Sequence, residues 1–132
     1  MGREIKFRVF DKISKQMYRW SQIASISLVD FDKEHYELMQ FTGLKDKNGV
    51  DIYEGDVVSL SIEGFNLKPH LVPFLIVFNI DGFQGCNLQK KKTDFLNGTF
   101  FQQPRRFNYK EWKKLEVIGN IYENPELLIP KK

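Results

Sequence analysis

Residues 40–58 constrain the fold more tightly than any other part of the chain. Leu38 to Thr42 has strand character, and Gly43 followed by Asp46-Lys47-Asn48-Gly49 supplies turn chemistry, because Asn-Gly readily takes the positive φ of a tight hairpin turn. Val50-Asp51-Ile52-Tyr53 returns as the second strand. Gly55-Asp56 then marks a kink or bulge before the apolar run Val57-Val58-Ser59-Leu60-Ser61-Ile62. A chain punctuated in this way at its centre is committed to antiparallel β-structure.

The flanks carry the same signal. Ile5-Lys6-Phe7-Arg8-Val9-Phe10 alternates apolar and basic residues with period two, the pattern of a strand buried on one face and wet on the other. A polar turn over 11–16 leads to Met17-Tyr18-Arg19-Trp20, which completes a hairpin. The β-branched stretch 23–29 suits a further strand, and the acidic stretch 30–37 reads as a loop. Residues 73–80 form an apolar run of strand length, closed by the Asp81-Gly82 turn, so that 83–88 pairs back on it. The polar, basic stretch 89–106 reads as a long loop. One or two helical turns are predicted over 109–115 and a closing strand over 115–122. Asn124 is a good N-cap with Pro125 at the first helical position and Glu126 in the first turn, which predicts a single terminal turn.

Composition excludes several classes of protein. With 42% hydrophobic and 28% charged residues in 132 positions, there is enough apolar surface for one core, and disorder is not the default. The apolar run at 71–78 is broken by Pro73 and falls far short of the ~20 residues that span a bilayer. The N-terminus has no apolar core of the kind a secretion signal needs, and Lys6 stands where a myristoylation signal wants Ser or Thr. No membrane association is therefore expected. Cys86 is the only cysteine, which rules out an intrachain disulfide, leaves a Cys-based zinc site without ligands and points to the cytoplasm.

Chemistry-bearing residues are few. His35 and His70 are far apart in sequence and neither sits beside a ligand pair. Asp46, Asp51, Glu54 and Asp56 could hold a divalent cation, but their spacing matches no calcium loop, and turn chemistry and solubility account for them. Asp56 beside Gly55 is placed to cap local backbone N–H groups. No phosphate-cradling glycine motif, nucleophile elbow or metal-binding helix signature occurs. The expectation is a protein with no catalytic residues, no cofactor and no metal.

Charge is unevenly placed. The formal net charge is +3, yet residues 87–114 alone carry eight basic side chains against two acidic ones. Lys90, Lys91, Lys92, Arg105 and Arg106 are interleaved here with aromatic residues that include Phe107, Tyr109 and Trp112. Phosphate-seeking cations beside rings on which unpaired bases stack suit a single-stranded nucleic acid. The competing reading is a solvated lysine loop with the rings buried in this chain, in a second copy or in a protein partner.

Three long blocks, Arg3-Glu4-Ile5-Lys6-Phe7-Arg8-Val9-Phe10-Asp11, the run from Met39 through Gly43, Asn48-Gly49 and Gly55-Asp56 to Val58, and Val117-Ile118-Gly119-Asn120-Ile121-Tyr122-Glu123-Asn124-Pro125-Glu126-Leu127-Leu128, resemble the YopX family of small phage and prophage proteins. The first block departs slightly, with Phe10-Asp11 where the family often has Trp-Asp. The resemblance implies an all-β fold in which a hairpin segment, 1–37, packs on a small SH3-like barrel, 38–132, in a bacterial host's cytoplasm. It carries over no activity and no catalytic residues. Two functions are then open: a non-catalytic accessory protein that binds a protein partner or forms a homo-oligomer, and a nucleic-acid-binding module using 87–114.

Overall fold

The computed structural model describes residues 5–23, 34–64, 67–79, 82–88 and 105–128, and over these the chain is all-β with short helical turns. Eight strands follow in order: β1 (Phe7–Asp11), β2 (Gln16–Tyr18), β3 (Tyr36–Lys45), β4 (Asp51–Tyr53), β5 (Asp56–Gly64), β6 (Leu67–Asn79), β7 (Gly82–Asn87) and β8 (Glu116–Asn120). A short helix α1 (Trp20–Ile23) follows β2, α2 (Tyr109–Lys114) precedes β8, and a 3-10 turn spans Pro125–Leu128. The strands form two four-stranded antiparallel sheets, ordered β2-β1-β3-β4 and β7-β6-β5-β8. The first sheet includes β3, so it runs across positions 37 and 38.

The central hairpin differs from the expected Asn-Gly turn in one respect. Lys15 is the one non-glycine residue with positive φ among those described, so Asn48 is not left-handed; Gly49 takes that conformation at φ 82°. The Asp46 carbonyl accepts from the Gly49 N–H at 3.0 Å, and the Asp46 N–H donates to the Val50 carbonyl at 2.7 Å. This is the longer loop in which a glycine follows the turn and absorbs the bulge. The Asp46 side chain fixes it. Its Oδ1 accepts from the Asn48 and Val50 N–H groups at 2.8 and 2.9 Å, and its Oδ2 accepts from the Val117 N–H of β8 at 2.9 Å. Asp46 is therefore buried, not a solubilising residue. Asp46→Ala leaves three donors without their acceptor, and a loss of about 2–3 kcal/mol is expected in urea denaturation, with Asp46→Asn costing less.

Gly55 joins the sheets. At φ 87° it turns β4 into β5, its N–H donates to the Ile76 carbonyl of β6 at 2.8 Å, and its carbonyl accepts from the Ile121 N–H at 2.9 Å. Below it lies the main core of Ile52, Val58, Leu60, Val72, Phe74, Ile76, Phe107 and Leu115. Inward Val72, Phe74 and Ile76 alternate with outward residues along β6, as the period-two reading requires. β6 begins six residues before the expected strand because Pro73 does not end it: the β7 ladder starts at Phe74, and the Pro73 carbonyl still accepts from the Leu88 N–H.

Two other expectations changed. The second strand of the first hairpin stops at Tyr18, because Gln22 Oε1 accepts from the Arg19 N–H and the Arg19 carbonyl accepts from Gln22 and Ile23, which starts α1 at Trp20. Ile23 ends that helix instead of opening a strand, and the rest of 23–29 lies outside the described residues.

Candidate functional site

Of the eight residues singled out for binding, Lys90, Lys91 and Lys92 lie outside the described residues. The other five fall at one corner of the second sheet. Arg105 pairs its backbone with Gly85 on the β7 edge through two hydrogen bonds of 2.9 Å. Its guanidinium donates to both Glu111 carboxylate oxygens, at 2.7 and 3.4 Å, and lies 5.0 and 5.3 Å from the ring centroids of Phe107 and Phe74. Phe107 is a core residue, in edge-to-face contact with both Phe74 and Trp112. Trp112 is half-buried against the same core. Arg106 and Tyr109 remain exposed, and Lys113 Nζ sits 4.3 Å from the Tyr109 ring centroid. Arg105, Phe107 and Trp112 thus hold the corner together, while Arg106, Tyr109 and the lysines of α2 form its outer surface.

α2 starts where it does because of a reciprocal cap. The Asn108 side chain accepts from the Glu111 N–H at 2.9 Å, and the Glu111 carboxylate accepts from the Asn108 N–H at 3.0 Å. Burial raises the Glu111 carboxyl, but the hydrogen bonds from Arg105 and Asn108 outweigh it and hold the group below its ordinary value of 4.5. A lowered folded value stabilises the chain above the ordinary value and ceases to do so as pH falls through the folded one. The stability difference between the native chain and Glu111→Gln is therefore expected to be constant near neutrality and to close below about pH 4.5. Asn108→Ala should cost about 1 kcal/mol.

A second feature was not legible in the sequence. An open cleft of about 820 Å³ is lined by residues of both sheets, among them Arg8 of β1, Tyr53 of β4, Asp56 of β5 and Asn120 of β8. At its floor Arg8 Nη2 meets Asp56 Oδ1 at 2.6 Å, and Asp56 Oδ2 accepts from the Tyr53 N–H at 2.8 Å. The guanidinium lies 4.7 Å from the Tyr53 ring centroid. Beside it Lys6 Nζ meets Asp51 Oδ2 at 2.7 Å. The face of β1 that alternation marks as wet is therefore half enclosed, with its two cations held by carboxylates. The charge complementarity of Lys6 and Arg8 with Asp51 and Asp56 was the available signal, but a separation of 48 residues between Arg8 and Asp56 gives it no periodicity.

Asp56 is shut off from water, with both oxygens accepting, and it does cap a local N–H as its place beside Gly55 suggested. Cys86 is buried, and burial pushes its thiol up, away from the reactive thiolate. His35 Nε2 lies 3.1 Å from Asp11 Oδ1 and its ring stacks on Tyr36. Among the described residues no group of three or more His, Cys, Asp or Glu converges as a metal site would require.

Comparison with known proteins fits this architecture. The family model described as YopX protein matches residues 6–129. The chain belongs to the YopX family. Among solved structures, the YopX-family fold here is similar to that of protein EF1440 from Enterococcus faecalis, with TM-score 0.58 and 27% identity over 96% of this chain and 99% of that one. It also resembles protein yopX from Bacillus subtilis in fold, with TM-score 0.57 and 21% identity over 96% of this chain and 98% of that one. No curated protein matches the chain. No helix among the described residues is long and apolar enough to cross a membrane.

Proposed function

We propose that this YopX-family chain is a non-catalytic accessory protein of a phage or prophage, acting in the host cytoplasm by binding another protein or a second copy of itself. The observation that carries this reading is the set of large apolar side chains left outside the core on strand surfaces. Leu71 on β6 is 61% exposed, Phe78 on the same strand 49%, Leu38 on β3 47% and Ile118 on the edge strand β8 43%. Apolar area of this kind is stabilised by a partner that removes it from water. Light scattering across a concentration series is expected to show a species heavier than one chain, alone or with a captured host protein, and Leu71→Glu to diminish it. A strict monomer that retains no protein overturns the proposal.

A second reading has its own support in the outer surface of α2. Tyr109 is 69% exposed beside Lys113, with Lys110, Lys114 and Arg106 exposed on the same short segment. A ring flanked by cations suits a single strand, whose binding weakens steeply with salt. Charge reversal at Lys110 and Lys113 tests this cleanly, because reversing Arg105 would break its pair with Glu111. Binding indifferent to salt and to the reversal excludes this surface.

A further inference from the structure

Arg8, Lys15, Arg19 and Lys45 reach the inter-sheet cleft from separate segments, against the three carboxylates Asp51, Asp56 and Glu123 in the same lining, and several of the cations are incompletely paired. Lys15 in the β1–β2 turn and Arg19 before α1 both line it, both are exposed, and neither pairs with a carboxylate among the described residues. Lys45 at the end of β3 lines it too, with its side chain 65% exposed and its ammonium a loose 3.5 Å from Asp51. At the floor, Arg8 donates to Asp56 through one nitrogen, and its buried Nε has no hydrogen-bond partner among the described residues. That Nε is enclosed by protein, so only the outer guanidinium nitrogens, held in place by one carboxylate, are pre-oriented for a second acceptor in the cleft.

We propose that this cleft is a binding site for an anion bearing phosphoryl groups, with Lys15 and Arg19 gripping its charge at the rim and Arg8, braced by Asp56 and Tyr53, at the floor. Cations arriving from three segments match a multiply charged group with several acceptor oxygens better than a carboxylate, which one of them would satisfy. A volume of about 820 Å³ admits a ligand of nucleotide size. The cleft lining includes none of Leu38, Leu71, Phe78 and Ile118 and no residue of α2, so the site stands or falls independently of the function proposed above.

The test is a calorimetric titration of the full chain at low salt with inorganic pyrophosphate, a nucleoside triphosphate and a short single-stranded oligonucleotide. Saturable binding with Kd below about 1 mM is expected for at least one of them, weakened about tenfold or more in Lys15→Ala/Arg19→Ala. Both residues are exposed, so that variant should melt within about 2 °C of the native chain. Lys110→Ala/Lys113→Ala on α2 should bind as the native chain does. An oligonucleotide that binds more tightly than the triphosphate, and loses its advantage in the cleft variant, identifies a polymer's phosphates as the ligand. Equal affinities identify a free phosphorylated molecule. Absence of saturation by all three up to about 10 mM, or affinity that the cleft variant leaves unchanged, overturns the proposal.

Discussion

Asp56→Ala is expected to destabilise the chain by about 3–5 kcal/mol. Asp56 is 1% exposed and ties three elements together: β5, from which it comes; β4, through the Tyr53 N–H; and β1, through Arg8. Removing the carboxylate leaves a buried guanidinium without its counter-charge and a buried N–H without its acceptor. Removing Arg8 instead leaves a buried carboxylate, so Arg8→Ala should cost a similar amount. Replacing both, as Arg8→Met with Asp56→Leu, should recover most of the loss, because the interaction offsets a desolvation cost that an apolar pair never incurs. Chemical denaturation of the native chain, Arg8→Met, Asp56→Leu and the double variant measures the coupling, and strictly additive losses would show that the two side chains act separately.

The same pair has a pH signature. Burial lifts the Asp56 carboxyl above its ordinary value of 3.8, against the opposing pull of Arg8 and the Tyr53 N–H. A raised folded value means that the folded chain holds the proton more tightly than the unfolded one. The contribution to stability is then greatest below 3.8 and declines as pH rises through the folded value. The stability gap between the native chain and Asp56→Asn should therefore narrow from about pH 3 toward neutrality. A gap that widens over that range would mean that Arg8 prevails over burial.

Local signals in the sequence located most of the strands, because a strand is specified by a few adjacent residues. The apolar alternation of β1, the Gly49 turn, the helical turns over 109–115 and the Asn124-Pro125 start of the terminal turn each report a decision made within one or two turns of chain. What the sequence hid is the sign of burial on polar faces. Lys6, Arg8, Asp46 and Asp56 look like ordinary strand and turn polarity until two distant segments are brought together, and only then does Asp46 reach the Val117 N–H or Asp56 reach Arg8. The candidate site divided for the same reason. Composition identified residues 105–112 as basic and aromatic, but it could not tell that Phe107 enters the core with the Arg105 guanidinium laid over its ring, while Arg106 and Tyr109 face water. That assignment follows from the register of Arg105 against Gly85, a contact across 20 residues.

Phe107 should prove the residue on which this corner depends, and Phe107→Ala is expected to cost about 3–5 kcal/mol. The ring lies across Gly85 of β7: a Cβ built there would stand 2.4 Å from Phe107 Cζ. The missing side chain lets the aromatic descend onto Phe74, with 5.0 Å between centroids at 84°, while Trp112 closes the other side at 5.2 Å and 77°. Gly85→Ala fills that space and should cost about 1–3 kcal/mol by overpacking. Because both changes act on one cavity, they should couple. Gly85→Ala combined with Phe107→Leu is expected to lose less than the sum of the two alone, since the smaller side chain vacates the room that the new methyl needs. Trp112 touches the same ring, so its fluorescence follows the transition directly. Additivity within about 0.5 kcal/mol would show that β7 yields around Gly85 and that Phe107 is held by other contacts. Coupling would establish that this part of the basic, aromatic stretch is first a packing device, with α2 seated on it and any binding surface confined to the residues that Phe107 and Arg105 leave facing outward.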